Sequence, residues 1–140
     1  MTREIFGAWD LVALETEDGN GNLSHPMGDD LSGRIIFTPE GYMSATIMSN
    51  GRPAFAANDL MAGTVEEKAR ATDVYMSYSA KYRQDGNRVF SNVDISLLPN
   101  WIGTTQERIL SFRGDNMVLT TLGIPLDGKI YTTHAIWRRP

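Results

Sequence analysis

Short runs in which apolar and polar residues alternate fill most of this chain, and each run stops at a cluster of Asn, Asp, Gly or Pro. In residues 88–98 one face carries Val89, Ser91, Val93, Ile95 and Leu97, and the other carries Arg88, Phe90, Asn92, Asp94, Ser96 and Leu98. In residues 104–112 one face carries Gln106, Arg108, Leu110 and Phe112. Successive strand side chains point to opposite faces, so a period of two predicts half-buried strands. Further runs rich in β-branched and aromatic residues cover 5–15, 33–38, 42–49, 80–84, 117–122 and 129–138. The punctuation between them is Asp18-Gly19-Asn20-Gly21-Asn22, Pro39-Glu40-Gly41, Asn50-Gly51, Asp85-Gly86-Asn87, Gly114-Asp115-Asn116 and Asp127-Gly128. Asn, Asp and Gly tolerate positive φ, which tight reversals require. Many short strands joined by close turns predict an all-β sandwich or barrel.

One stretch departs from this pattern. Thr64-Val65-Glu66-Glu67 has the form of a capping box, in which the Thr hydroxyl serves an orphan amide and Glu67 reaches back to the Thr64 amide. Residues 68–73 favour helix on balance, which predicts one helix over about 65–77. A single helix among strands suits a barrel with a lid or plug.

Composition narrows the function classes. The chain has 140 residues, 41% hydrophobic and 21% charged, enough for one domain with a core of its own. A net charge of −4 offers no basic groove for nucleic acid, and Arg138-Arg139 is too short to make one. The absence of cysteine removes disulfides, thiolate metal sites and cysteine nucleophiles. No apolar run approaches the roughly 20 residues of a membrane span, and the stretch Met1-Thr2-Arg3-Glu4-Ile5-Phe6-Gly7 lacks the apolar core of a signal peptide. The expectation is a cytoplasmic protein with no membrane partner. Phosphate-loop, dinucleotide and Gly-x-Ser-x-Gly signatures are missing, so nucleotide chemistry and serine hydrolysis are disfavoured.

A set of ordered segments carries a resemblance. These are Gly7-Ala8-Trp9-Asp10-Leu11-Val12, then the run 33–45 from Gly33-Arg34-Ile35 to Met43-Ser44-Ala45, then Glu66-Glu67 ahead of Tyr78-Ser79-Ala80-Lys81-Tyr82, and last Ile136-Trp137-Arg138-Arg139. The most specific is Pro99-Asn100-Trp101-Ile102-Gly103-Thr104-Thr105-Gln106-Glu107-Arg108. Through these the chain resembles the lipocalin-like domain family of short bacterial and fungal proteins, across nearly its whole length. The resemblance implies a closed up-and-down antiparallel lipocalin-like β-barrel of about 8–10 strands with one short helix, a single domain over 1–140. It also implies that the first and last strands meet, with Trp9 plugging the base under a late Arg. Similar proteins often carry a His or His pair before the acidic residue on the strand preceding Pro-Asn-Trp. Here that strand reads Phe90-Ser91-Asn92-Val93-Asp94, so no role for those imidazoles transfers.

The candidate chemistry is sparse. Arg108 and Gln106 share a strand face, and from a cavity wall they would hold a carbonyl, enolate or carboxylate, since Arg stays charged even when buried. The competing role for Arg108 is an ion pair with Asp94 or Glu107. Asp94 would serve as a general base only with a raised pKa, and a pairing with Arg108 would lower it instead. His134, which shares a face with Ile130, Thr132 and Ile136, is the best acid–base group in the chain by its ordinary pKa. His25 lies in a loop, and two distant His without a third ligand do not suggest zinc. Tyr42, Phe55, Tyr78, Tyr82 and Trp101 are aromatic candidates for a ligand pocket as well as for the core. Trp101, at a turn, is placed to gate a barrel mouth, and Tyr78 and Tyr82 to give phenol hydrogen bonds.

Three functions fit this inventory. The first is binding of a small hydrophobic molecule in the barrel, a secondary metabolite such as a polyketide-like compound, with no cofactor and no metal. The second is a cofactor-free cyclase, isomerase or pericyclase using the same cavity, with Arg108, His134 and Asp94 as catalytic candidates. The third is an interaction domain whose barrel is simply packed. Exposed strand edges permit a homodimer, and nothing in the sequence specifies one.

Overall fold

In the computed structural model, which describes residues 4–126 and 128–140, nine antiparallel strands form one sheet that closes on itself. They are β1 (Gly7–Glu17), β2 (Leu23–Ser24), β3 (Leu31–Phe37), β4 (Tyr42–Ser49), β5 (Tyr75–Asp85), β6 (Arg88–Ser96), β7 (Thr105–Arg113), β8 (Asn116–Leu126) and β9 (Lys129–Arg138). From β3 onward each strand pairs with the next in sequence. β1 pairs with β3 through Gly7↔Phe37 to Asp10↔Arg34, and with β9 through Asp10↔Arg138 to Glu17↔Thr132, which closes the ring. β2 is a two-residue addition to the end of β1, so eight strands make the barrel.

The turn chemistry places the ends. At one end the strands are joined by Pro39-Glu40-Gly41, Gly86-Asn87 and Gly114-Asp115. Gly86 and Gly114 have φ of 60° and 63°, the left-handed region that β-branched residues avoid. The expected Asp127-Gly128 turn has its first residue outside the described residues, as does the start (residues 1–3) of the N-terminal stretch read for a leader. The opposite end, the mouth, carries the longer connections: 18–30, 50–74 and 97–104.

The closed end is packed solid. Ile5, Trp9, Phe37, Met43, Val89, Met117 and Trp137 are all buried there or just above. Trp9 donates its indole N–H to the Ile5 carbonyl at 2.9 Å. Tyr82 stands edge-on to Phe37, ring centroids 5.0 Å apart, and donates its hydroxyl to the Thr38 carbonyl at 2.8 Å. Burying a Phe-sized side chain is worth about 1.5–3 kcal/mol, so this cluster is the main anchor of the fold.

Three register shifts alter the alternation toward the mouth. In β1 the shift lies between Leu11 and Ala13, so Trp9 and Leu11 point inward below it and Leu14 and Thr16 above it, while Val12 is exposed. In β6 the partners step from Val93 to Ile95, leaving Asp94 as the extra residue. Ile95, expected to share the inner face of Val93, is therefore turned outward and is 66% exposed. In β8 the shift lies between Thr121 and Ile124, and Leu122 is exposed. An inserted residue bends and twists its strand.

The helix α1 (Val65–Asp73) begins at the expected capping box: the Thr64 hydroxyl accepts from the Glu67 amide at 3.1 Å and Glu67 accepts from the Thr64 amide at 2.9 Å. It ends sooner than the expected residue 77, because Tyr75–Ser79 pairs with β4 as the first half of β5. The helix buries no residue. Its attachment is by hydrogen bonds, from Arg52 to the Ala71 carbonyl at 3.1 Å and from the Ala56 amide to Glu67 at 2.8 Å. It does not plug the barrel, since no helix residue lines the interior cavity. Among the described residues no helix is long and apolar enough to cross a membrane.

Candidate functional site

Above the packed floor the barrel holds a cavity of about 140 Å³. The inner faces of β1, β3, β4 and β8 give it an aliphatic wall from Leu14, Ile35, Ile47, Leu119 and Ile124. Met76 adds a flexible thioether from β5, of the kind that adapts to an irregular guest. On β9 the inward residues run Thr133, Ala135, Trp137 from mouth to floor.

One side of the cavity is aromatic and cationic. The connection after β6 forms a 3-10 turn over Pro99–Trp101, with Pro in the first turn, where its missing N–H costs no hydrogen bond and its fixed φ suits the turn. This turn sets the Trp101 ring edge-on to Tyr78, centroids 5.3 Å apart at 81°. The alternation of β7 brings Arg108 to the same place, its guanidinium carbon 5.9 Å from the Trp101 ring centroid. Arg108 also donates to the Glu107 carbonyl at 3.1 Å. Neither expected carboxylate partner takes it: Glu107 pairs with Arg88 on the outer wall, and Asp94 is the exposed extra residue of the β6 shift. Tyr78, Trp101 and Arg108 are thus adjacent in the lining, as three of the sequence candidates.

The other candidates lie elsewhere. His134 is a correction: Thr133 and Ala135 face inward, so the residue between them faces out. Its Nδ1 is 2.8 Å from the Thr120 hydroxyl and its Nε2 is 3.1 Å from Glu17, which ties three strands together on the outer wall. Tyr42 is half exposed at the outer start of β4, with the Lys81 ammonium 5.9 Å from its ring. Phe55 belongs to the connection before the helix and packs on Gly63, whose missing Cβ would come within 2.6 Å of its ring. Tyr82 faces inward but sits in the packed end, where burial raises its pKa above the ordinary tyrosine range. Gln106 shares the Arg108 face, but its amide turns to the Thr104 hydroxyl at 2.9 Å and it is not in the lining. Asp94 has no route to the cavity as a base.

Trp137, part of the last-strand motif Ile136-Trp137-Arg138-Arg139, also lines the cavity. Its side chain is 2% exposed, and its Nε1 has no acceptor among the described residues. A buried donor left unmatched costs about 1–3 kcal/mol. The signal that could have found it is parity: Trp137 shares a strand face with Ala135 and Thr133, opposite to His134.

A second, larger depression of about 710 Å³ lies outside the wall over β1, β3 and β4. Arg34 and Asp10 pair across it at 2.9 Å, and Ser44 and Thr46 also line it. It is open to water, and Leu11, Leu31, Ile36 and Met48 stand among these polar residues in its lining. Among the described residues no cluster of three His, Asp or Glu could hold a metal ion.

A family model described as a lipocalin-like domain matches residues 6–140. The 4'-hydroxy-3'-methoxypropiophenone carrier protein ppsC of Aspergillus oryzae is 34% identical over 106 residues, an alignment covering 69% of this chain and 96% of that protein. Two solved structures align along nearly the whole chain, each with a TM-score of 0.48. One is a lipocalin-like protein from Bacteroides uniformis, 14% identical, covering 97% of this chain and 98% of its own. The other is an uncharacterized protein from Bacteroides eggerthii, 13% identical, covering 98% and 100%.

Proposed function

The chain belongs to the lipocalin-like domain family, and on that footing we propose that it is a carrier which holds one small, mostly apolar aromatic molecule inside its barrel. The observation that carries this reading is the composition of the cavity: aliphatic walls, two indoles and a phenol, with Arg108 as the charged residue. Such a lining removes apolar surface from water, the main source of affinity for a guest of this kind.

Size restricts the guest. About 140 Å³ is well below the ~300 Å³ at which pockets for drug-sized ligands begin. A compound with one substituted ring suits it better than an extended polyketide chain. The Aspergillus relative is by name a carrier of an aryl ketone of that size class, which supports the same choice here.

The cofactor-free cyclase reading has less support. Acid–base catalysis needs a titrating group within hydrogen-bond reach of the substrate. Among the described residues no Asp, Glu or His is in the lining, and two of the catalytic candidates, His134 and Asp94, lie outside it. Arg108, the one catalytic candidate in the lining, would stabilise charge without moving a proton at neutral pH.

Titration with 4'-hydroxy-3'-methoxypropiophenone and related single-ring ketones, followed by indole fluorescence and thermal shift, tests the carrier reading. Saturable quenching with a raised melting temperature is expected. Ala135→Phe, which fills the cavity from β9, should abolish both effects while the barrel stays folded. The reading fails if no aryl ketone binds, or if binding survives the filled cavity.

A further inference from the structure

The barrel wall is not laddered along its full height. β7 starts at Thr105, but its pairing with β8 runs from Ile109↔Thr120 down to Arg113↔Asn116. Above that point β8 continues to Leu126 beside β9 alone among the described residues. The Leu110 amide donates to the Asn87 carbonyl, so even-numbered residues of β7 turn their backbone groups toward β6 and odd-numbered ones toward β8. Thr105 and Glu107 therefore face a parted seam. The Glu107 carbonyl, next in line for the ladder, accepts instead from Arg108 Nη1 at 3.1 Å. That hydrogen bond places the Arg108 guanidinium at the seam. The cavity reaches the same seam from both banks, through Arg108 on β7 and through Thr121 and Ile124 on β8.

Arg108 has donors to spare there. It is half-buried, the Glu107 carbonyl is its one hydrogen-bond partner, and no carboxylate pairs with it among the described residues. A guanidinium carries five N–H donors, so most of these are open to a guest. We propose that the parted seam is an anion-binding window, in which Arg108 holds an ionised carboxylate of the guest while the guest's ring lies in the cavity beside Trp101. This rests on the carrier reading and adds a ligand class to it: arylalkanoates and, by the same chemistry, phenolates. An anion drawn in among Leu14, Ile35, Ile47 and Leu119 would lose its hydration. At the window it keeps water on its outer side and gains a charge-assisted partner whose fork matches a carboxylate.

The test compares 3-phenylpropanoate with 4-phenylbutan-2-one, which has the same skeleton with a methyl group in place of the charged oxygen. At neutral pH the wild-type protein should bind the carboxylate on the order of tenfold more tightly, the scale of a charged hydrogen bond. In Arg108→Met that preference should vanish, and Arg108→Lys, which keeps the charge without the fork, should recover part of it. A second measurement needs no variant. In the ¹H–¹⁵N spectrum of the wild-type chain, the backbone amides of Glu107 and Leu122, on the two banks of the seam, should shift with the carboxylate and much less with the ketone. Equal affinity for the two compounds, or a preference that survives Arg108→Met, overturns the inference and leaves the carrier reading standing. So do carboxylate-specific shifts confined to the mouth connections 18–30 and 50–74. Binding of neither compound overturns both.

Discussion

The guanidinium carbon of Arg139 lies 3.8 Å from the centroid of the Trp9 ring, so a residue just beyond the last strand caps the plug supplied by the first. The contact is reinforced from the same head group: Nη1 donates to the Phe6 carbonyl at 2.7 Å and Nη2 to the Glu4 carbonyl at 3.3 Å. Gly7 lies alongside, where an added Cβ would come within 3.1 Å of Nη1. The two ends of the described chain are thus fastened by one planar cation that stacks and donates at the same time, a combination an ammonium cannot reproduce.

Arg139→Ala should therefore lower the free energy of unfolding by about 1–3 kcal/mol, from the lost stacking and the orphaned carbonyls together. Arg139→Lys should recover only part of this. Urea denaturation followed by far-UV circular dichroism measures both. Ligand affinity should not change, because this end of the barrel is below the floor of the cavity. An Arg139→Lys variant as stable as wild type would show that charge alone suffices.

Gly33 is needed for a different reason. The upper part of β1 leaves β3 after Asp10↔Arg34, and the two chains still pass closely at Leu11 and Gly33. A Cβ on Gly33 would come within 2.9 Å of the Thr46 carbonyl oxygen and 3.1 Å of the Leu11 Cβ, neither of which is the far end of a flexible side chain. Gly33→Ala should cost about 1–3 kcal/mol through overpacking and should also reduce affinity, since Ile35 and Ile47 beside it line the cavity. Thermal melting and ligand titration of one preparation would report both. A neutral effect would mean that the wall gives way at no cost.

Much of this was open to reading in the sequence, and what was not has a common cause. The segments 42–49 and 129–138 match β4 and β9 to the residue, because each is a clean β-branched and aromatic run bounded by a Gly or Asn turn. The capping box was legible because its partners are three residues apart, a local relationship. The register shifts in β1, β6 and β8 were not legible. One extra residue inverts the parity of everything after it, and only the partner strand reveals where it falls. The same limit explains the candidate site. The alternation grouped His134 correctly with Thr132 and Ile136, but which of the two faces looks inward depends on closure with β1 and β8. Trp101 and Arg108 were found through a motif that keeps them close in sequence, while Trp137, its face unassigned, was not.

The helix cap should make part of the β4–β5 connection sensitive to acid. The carboxylate of Glu67 accepts from the Thr64 amide and also from the Ala56 amide, and these hydrogen bonds hold its pKa below the ordinary glutamate range. A depressed folded-state pKa favours the folded cap in full above the ordinary value of about 4.3 and loses that advantage as pH falls through the lowered one. The Glu67 side-chain carboxyl carbon should therefore titrate below free glutamate by NMR, and in Glu67→Gln the amide protection of residues 65–73 should lose its acid dependence. Titration of Glu67 at the ordinary value would contradict the capping geometry.

The outer placement of His134 and the inner placement of Arg108 make opposite predictions for binding. Both nitrogens of His134 are engaged on the outside of the wall, by Thr120 and Glu17, so His134→Ala should lower stability by about 1 kcal/mol and leave ligand affinity unchanged. Arg108→Met keeps most of the side-chain volume and removes the cation beside Trp101. It should weaken ligands with an ionised oxygen by on the order of tenfold, the scale of a charged hydrogen bond, and neutral ligands much less. Calorimetric titration with a hydroxylated aryl ketone, below and above the pKa of its phenol, separates the two cases. In wild type the affinity should rise as the phenol ionises, and in Arg108→Met that rise should vanish. If His134→Ala removed the rise and Arg108→Met did not, the inward face of β9 would have been assigned to the wrong residues.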